Sequence, residues 1–282
     1  MSFEVSHKPS RDRMRSIPEN PTVSVVIPAM NEARNLRHVF VDLSPDLHQV
    51  ILVDGRSTDD TVSTAQGLRP GIDVVYQTRK GKGNALACGF AAATGDIIVA
   101  LDADGSTDPG EMHRFVDALC QGADFAKGSR FLIGGGSADL TRIRRAGNFL
   151  LRRLFNFLYG THYSDLNYGY NAFWRDCLKV FEFPPLELGG SDDSTMQWGD
   201  GFEVEALITV RTVKAGLKVQ EVPCFERDRL YGTSNLNVVS DGLRVLRVIR
   251  IERQRWRSRL ALPAPKMSDT LSMTTSEERP IS

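Results

Sequence analysis

Ile97-Ile98-Val99-Ala100-Leu101-Asp102-Ala103-Asp104 is an apolar run that ends in two carboxylates one residue apart. A continuous β-branched run suits a strand of a parallel sheet covered on both faces. Ligands of open α/β sheets bind beyond the carboxyl ends of such strands. Asp102 and Asp104 therefore fall where chemistry is expected. Two hard oxygen ligands can hold Mg2+ or Mn2+ and leave coordination positions for a diphosphate. The same spacing also suits an Asp-rich turn capping the next helix, so the neighbouring segments decide between the two.

Working outward, strands and helices alternate. Val23 to Ile27 reads as a strand ended by Pro28, and Asn31-Glu32 opens a helical pattern through Leu43. Val50 to Val53 is a second strand, stopped by Asp54-Gly55, and Ser57 to Thr61 is rich in N-capping residues for a helix to Leu68. Val74 to Tyr76 is a short strand, and Lys80-Gly81-Lys82-Gly83-Asn84 precedes a small-residue helix over Ala85 to Ala93. Beyond Asp104, Pro109 begins a helix to Leu119, and Asp124 to Lys127 is a strand. Strands joined by helical crossovers imply a parallel sheet with right-handed connections.

After Gly134-Gly135-Gly136 the texture changes to an aromatic and helical half. Helices are expected over Ala146 to Tyr159, Glu203 to Ala215 and Val238 to Leu262, the last with Arg244, Arg247, Arg250, Arg253 and Arg257 at helical spacing. Asp165 to Phe173 reads as turn-rich, and Leu217 to Val222 as a strand. The expected division is a disordered arm over 1–21, one α/β domain over 22–236, a basic amphipathic helix over 237–262 and a disordered tail over 263–282.

Composition narrows the class. Of 282 residues 41% are hydrophobic, enough for a sizeable core, and 35 Lys and Arg balance 35 Asp and Glu. No global field points to nucleic acid. The basic, polar first 21 residues lack the apolar core of a signal peptide, and no apolar run approaches the ~20 residues of a spanning helix. Cys88, Cys120, Cys177 and Cys224 are scattered without metal-type spacing, and read as buried free thiols of a cytoplasmic protein.

Pro28-Ala29-Met30-Asn31-Glu32, Asp54 to Asp59, Lys82-Gly83-Asn84 and Asp102-Ala103-Asp104 lie in this order at the ends of successive expected strands. Together with Phe202-Glu203-Val204-Glu205, Glu221-Val222-Pro223 and Arg229 to Leu236, the set resembles the inverting family 2 glycosyltransferases of GT-A fold. It is most similar to the polyprenol-phosphate (dolichol-phosphate) mannosyl- and glucosyltransferases. The resemblance implies a Rossmann-like, mostly parallel sheet flanked by helices, with an acceptor-side C-terminal half. It implies that Pro28, Met30 and Glu32 line a nucleoside pocket, with Asp54 bonding the base and Leu52 beside it. Lys82 and Gly83, before a helix start, suit phosphate approach through charge and bare backbone, Asp102, Ala103 and Asp104 would carry the metal and sugar nucleotide, and Arg130 and Arg229 would contact the sugar-phosphate region. The chain departs from the family's pattern at Gly55, which follows Asp54 in place of a second carboxylate. It departs again at Asn235, where lysine usually stands near the diphosphate.

The physical chemistry agrees with these roles. A carboxylate accepts hydrogen bonds from uracil or guanine N–H groups, and the arginine fork suits a diphosphate. The expected reaction moves a hexose from a UDP- or GDP-sugar, with Mg2+ or Mn2+, to a polyprenyl phosphate at the cytoplasmic face of the cell membrane. A phosphate acceptor is already ionised near neutral pH and needs no strong base. A soluble or cell-envelope hydroxyl acceptor would need one, and Asp200 or Glu203 is the candidate. A noncatalytic nucleotide-sugar-binding domain is the third reading. The arginine-bearing helices suit an anionic membrane surface, and equally an ordinary packed helix with a solvated face.

Overall fold

The computed structural model describes residues 15–188, 196–232 and 238–261. In chain order the elements are β1 (Val23–Ala29), α1 (Ala33–Val41), β2 (Gln49–Asp54), α2 (Thr61–Leu68), β3 (Asp73–Tyr76), α3 (Lys82–Ala92), β4 (Ile97–Ala100), α4 (Met112–Cys120) and β5 (Phe125–Ser129). There follow β6 (Gly136–Ser137), α5 (Arg142–Tyr159), β7 (Asn171–Trp174), α6 (Leu178–Phe181), α7 (Val204–Lys214), β8 (Val219–Pro223), β9 (Phe225–Glu226) and α8 (Val238–Ala261).

Seven strands form one sheet in the order β3-β2-β1-β4-β7-β5-β8, and β6 and β9 make a small second one. The pairs β1 with β2, β1 with β4, β2 with β3 and β5 with β8 are parallel. The expected mostly parallel sheet with flanking helices is the one observed. β4 is buried at all four residues, as its unbroken apolar run requires of a central strand covered on both sides.

The segment Asp165 to Phe173, read as turn-rich, instead ends in β7, which runs antiparallel between β4 and β5. Only four residues long and aromatic, β7 carries no alternation that would mark it as a strand. Its place in the sheet comes from the core it fills. The Phe173 ring meets Phe90 edge-on at 5.1 Å, stacks on Phe125 at 5.7 Å and meets Phe181 at 4.9 Å. Because β7 is antiparallel, its first residue Asn171 lies opposite Ala100, at the carboxyl end of β4. The chain just before it is thereby delivered to the turn that carries Asp102.

Helix starts also shift. α5 begins at Arg142, four residues ahead of the expected Ala146, because Thr141 caps it by accepting from the Arg144 amide. α3 begins at Lys82, so Lys82 and Gly83 form its first turn and do not precede it. α8 is not a separate appendage. Its Val245, Val248 and Ile249 join Phe155 and Tyr159 of α5 and Ala206, Leu207, Val210 and Val213 of α7 in a second core. Tyr159 Oη donates to the Ile249 carbonyl at 3.0 Å, and Glu252 binds Lys214 at 2.8 Å.

Of the expected N-terminal arm, 1–14 lie outside the described residues, as does the tail from 262. The described part is tied down: Arg15 pairs with Asp124 at 2.9 Å and Asp176 at 2.7 Å and lies 5.1 Å over the Trp174 ring. Cys88, Cys177 and Cys224 are buried free thiols, whereas Cys120, at the exposed end of α4, is open to solvent. Among the described residues no helix is long and apolar enough to cross a membrane.

Phe173→Ala should empty the centre of this aromatic cluster and lower stability by about 3–5 kcal/mol. The check is a lower urea midpoint with an unchanged denaturant slope. An unaltered midpoint would mean that β7 is not held by this core.

Candidate active site

The turn after β4 places its two carboxylates at the carboxyl edge of the sheet, and each is met by a cation from a distant segment. Asp102 Oδ1 lies 2.7 Å from Lys82 Nζ at the start of α3, and Asp104 Oδ2 accepts from Arg229 Nη2 at 2.8 Å. Asp104 Oδ1 is held in the turn by the Ser106 amide at 3.0 Å and its hydroxyl at 2.6 Å. Gly105 takes φ +78°, which allows the chain to fold back so tightly.

Each cation bridges to a further carboxylate. Lys82 Nζ also lies 2.8 Å from Glu205 Oε1 on α7, and Arg229 Nη1 donates to Glu32 Oε1 at 2.9 Å. Burial opposes the Lys82 charge, but Asp102 and Glu205 outweigh it and raise the ammonium above lysine's ordinary value. Burial raises the Glu32 carboxyl, and hydrogen bonds from Asn35 and Arg229 only partly offset it. Gly169, just ahead of β7, lies over the Lys82 cluster. A Cβ there would come 2.9 Å from Lys82 Nζ, 3.1 Å from Asp102 Oδ2 and 3.2 Å from Glu205 Oε1.

The donor-side loops are fastened to one another. Asn31, at φ 60°, accepts from the Thr58 amide at 2.8 Å, and its own amide donates to Ser57 Oγ at 2.9 Å. The Tyr231 backbone is held by both side-chain atoms of Asn35 at 3.1 Å, and the Arg34 guanidinium lies 3.9 Å over its ring. The segment bearing Arg229 is in this way pinned to α1.

Several residues named from the sequence sit differently. Leu52 is wholly buried in the core of β2, so its side chain cannot line an open pocket. Asp54 is 2% exposed and its Oδ2 accepts from the Arg56 and Ser57 amides at 3.0 and 3.1 Å, closing the turn rather than facing a base. Arg130 spends its fork on Asp165, at 2.7 and 3.1 Å, and on Glu226 at 3.1 Å, and does not reach outward. Asp200 is 1% exposed and is clasped by Arg79 through Nε at 2.8 Å and Nη2 at 3.0 Å, so it is not a free base. The Gly83 amide donates to the Asp200 carbonyl at 2.7 Å, and a Cβ on Gly83 would stand 1.8 Å from the Gly199 oxygen. Gly83 therefore serves a backbone-to-backbone contact, and its amide is not open to a phosphate. Met30 is exposed at the end of β1, Pro28 is half-buried there, and Ala103 is buried between the two aspartates. Glu203 is buried with Oε2 unpartnered among the described residues. Asn235, with Thr233 to Leu236, lies outside the described residues.

Glu205 and Arg79 were missed. The available signal for Glu205 was a carboxylate inside the otherwise apolar helix over Val204 to Val213, which burial obliges to find a cation. Arg79 carried no signal, because its partner Asp200 lies far along the chain.

The donor set suits a hard divalent cation. Asp102 and Asp104 offer part-exposed oxygens, 28% and 17% by side chain, on one turn. Among the described residues no group of three or more His, Cys, Asp and Glu could hold a metal. Mg2+ or Mn2+ at this pair would complete its shell with phosphate oxygens and water.

Residues 24–181 match the glycosyl transferase family 2 domain. The chain belongs to glycosyl transferase family 2. It is 31% identical over 233 residues to glycosyltransferase AglJ of Haloferax volcanii, covering 80% of this chain and 70% of that protein. It is also 31% identical over 224 residues to the polyprenol monophosphomannose synthase of Mycolicibacterium smegmatis, 76% of this chain and 80% of that one. Among solved structures, glucosyl-3-phosphoglycerate synthase of Mycobacterium tuberculosis, crystallised with Mn2+, UDP and glucosyl-3-phosphoglycerate, superposes with a TM-score of 0.61. That match has 24% identity and spans 83% of this chain and 80% of that one. The fold of this family 2 glycosyltransferase is thus GT-A.

The Arg130–Asp165 pair should make the family 2 domain acid-sensitive. Burial would raise the Asp165 carboxyl, but Arg130 holds it below the ordinary aspartate value of 3.8. A lowered folded-state pKa contributes stability that is present above 3.8 and lost as pH falls below it. Asp165→Asn, which leaves Arg130 with Glu226 as its remaining carboxylate, should cost about 1–3 kcal/mol at pH 7. The gap to the parent should narrow below pH 3.8 in melts recorded across pH, and a gap independent of pH would exclude the ion pair as its source.

Proposed function

We propose that this glycosyltransferase moves a hexose from a nucleotide diphosphate sugar to a polyprenyl phosphate presented at the cytoplasmic face of a membrane. The observation that carries the reading is the paired charge cluster on one turn: Asp102 with Lys82 and Asp104 with Arg229, at 2.7 and 2.8 Å. Two anions able to take a cation stand beside two cations able to take a diphosphate. The relatedness to the polyprenol monophosphomannose synthase supports the lipid acceptor.

In this reading Asp102 and Asp104 hold Mg2+ or Mn2+, which would neutralise charge on the departing nucleoside diphosphate. Lys82 and Arg229, which stand beside those aspartates, would contact the phosphate oxygens of the donor. Arg229 can do so as a fork, Lys82 as a point charge. Glu32, already bound to Arg229 and oriented by Asn35, is available to a ribose hydroxyl. The anionic acceptor oxygen attacks the anomeric carbon from the face opposite the diphosphate, so configuration inverts and no proton needs removing. Positioning and charge then account for most of the rate. One observation favours the hydroxyl-acceptor reading: Glu203 Oε2 is buried without a partner among the described residues and could receive a proton.

Asp104→Asn should keep the fold and lower transfer by at least ~100-fold, as expected on losing one preorganised charge. Lys82→Ala should act mainly on donor KM. The assay supplies Mn2+, labelled UDP- and GDP-hexoses and polyprenyl phosphate, and follows label into the lipid phase. Parent-rate transfer by folded Asp104→Asn would overturn the assignment. Label appearing solely in water-soluble hydroxyl products would move the acceptor to the second reading.

A further inference from the structure

The outer faces of α5 and α8 carry a surface that the reaction centre does not use. α5 contains five arginines, at 142, 144, 145, 152 and 153, and no acidic residue. Its inner side is anchored by Phe155 and Tyr159, yet its outer side is not polar. Ile143, Leu150, Leu154 and Phe157 are 72%, 70%, 36% and 85% exposed, at intervals of seven, four and three residues that line one helical face. An apolar stripe that faces water beside an all-cationic flank is the reverse of an ordinary solvated face.

α8 continues the pattern. Its two acids, Asp241 and Glu252, are buried, Glu252 by Arg211 and Lys214, whereas the side chains of Arg244 and Arg255 are 47% and 57% exposed. Between the two helices runs a groove of about 330 Å3, lined by Leu154, Leu158, Leu246 and Ile249, with Arg250 and Arg253 at its rim. No carboxylate among the described residues pairs with Arg152, Arg153, Arg250 or Arg253. α8 is also in touch with the donor loop. Arg247 lies 5.8 Å over Trp198, two residues before the Asp200 whose carbonyl receives the Gly83 amide.

We infer that this α5–α8 face docks on an anionic lipid bilayer. The Ile143–Phe157 stripe enters the headgroup boundary, the arginines lie at phosphate level, and the groove takes a hydrocarbon chain of a bilayer lipid. The charge pattern selects the partner. An apolar stripe flanked by arginines matches an interface that is hydrocarbon below and phosphate above. No described helix can span a membrane, so attachment through these elements is interfacial. The inference deepens the lipid-acceptor reading by naming the surface that meets the acceptor's membrane, but it is measurable without any sugar transfer.

The test is co-sedimentation of the purified full chain with vesicles of neutral phosphatidylcholine and with vesicles that also contain phosphatidylglycerol. Three variants are compared: Arg152→Glu with Arg153→Glu, Leu150→Ser with Phe157→Ser, and Phe157→Trp. Leu150, Arg153 and Phe157 are exposed, Arg152 is half-buried, and none belongs to either core or to the charge cluster, so folding by circular dichroism and hydrolysis of the nucleotide sugar by water should be unchanged. The expected result is at least tenfold preference for anionic vesicles, falling with salt, and at least tenfold loss in each double variant. Lipids brominated on their chains should quench the added fluorescence of Phe157→Trp. Equal binding to both vesicle types, or parent-like binding by the double variants, overturns the inference. So does a dimer in the parent, seen by sedimentation, that Leu150→Ser with Phe157→Ser abolishes without effect on vesicles. If vesicle binding fails while transfer to detergent-solubilised lipid phosphate persists, docking falls and the acceptor reading stands. If binding holds while only soluble hydroxyls are glycosylated, docking stands and the acceptor reading falls.

Discussion

Two carboxylates at the end of a buried strand, 28% and 17% exposed by side chain, need compensating charge, and the rest of the site is arranged to supply it. Lys82 and Arg229 come from different halves of the chain, and each is itself held by a second carboxylate, Glu205 or Glu32. In such an alternating network removing one member strands its neighbour, and an unpaired charge in low dielectric is far less favourable than a paired one. The same alternation suits ligand exchange. In the proposed reading a divalent cation would satisfy the aspartates and a diphosphate the lysine and arginine, so the two could bind together without leaving a charge uncompensated.

The scaffold that permits this is largely backbone against backbone. Gly81 and Gly83 lie so near the Gly199–Asp200 carbonyls that a Cβ would stand about 2 Å away, and Asp200 is locked in turn by Arg79. The start of α3 is therefore set by a segment from the C-terminal half, and with it the position of Lys82. β7 does the equivalent on the other side. Running antiparallel beside β4, it lays Gly169 on the Lys82–Asp102–Glu205 cluster, where a Cβ would crowd all three side-chain ends.

The second core ties the C-terminal helices into the same unit. α7 contributes Glu205 to the site from one face and Ala206, Leu207 and Val210 to the packing with α5 and α8 from another. One helix therefore contacts both the charge cluster and the core that lies beneath the arginine-bearing surface.

The sequence by itself determined the alternation of strands and helices, the mostly parallel sheet, and the carboxyl-edge location of Asp102, Asp104, Lys82 and Glu32. These follow from periodicity, capping residues and strand ends, which are local, and from motif order. Tertiary structure decided the rest. It alone brought Arg229 to Asp104 and Glu205 to Lys82, because charge pairing between segments so far apart in sequence, 125 positions in the first case, leaves no mark on local pattern. It withdrew Leu52 into the core and turned Arg130 and Asp200 into internal anchors, because burial in a low dielectric forces each charge onto its nearest opposite. It also made a strand of Asn171–Trp174, whose four residues have no preference strong enough to declare one until Phe90, Phe125 and Phe181 surround Phe173.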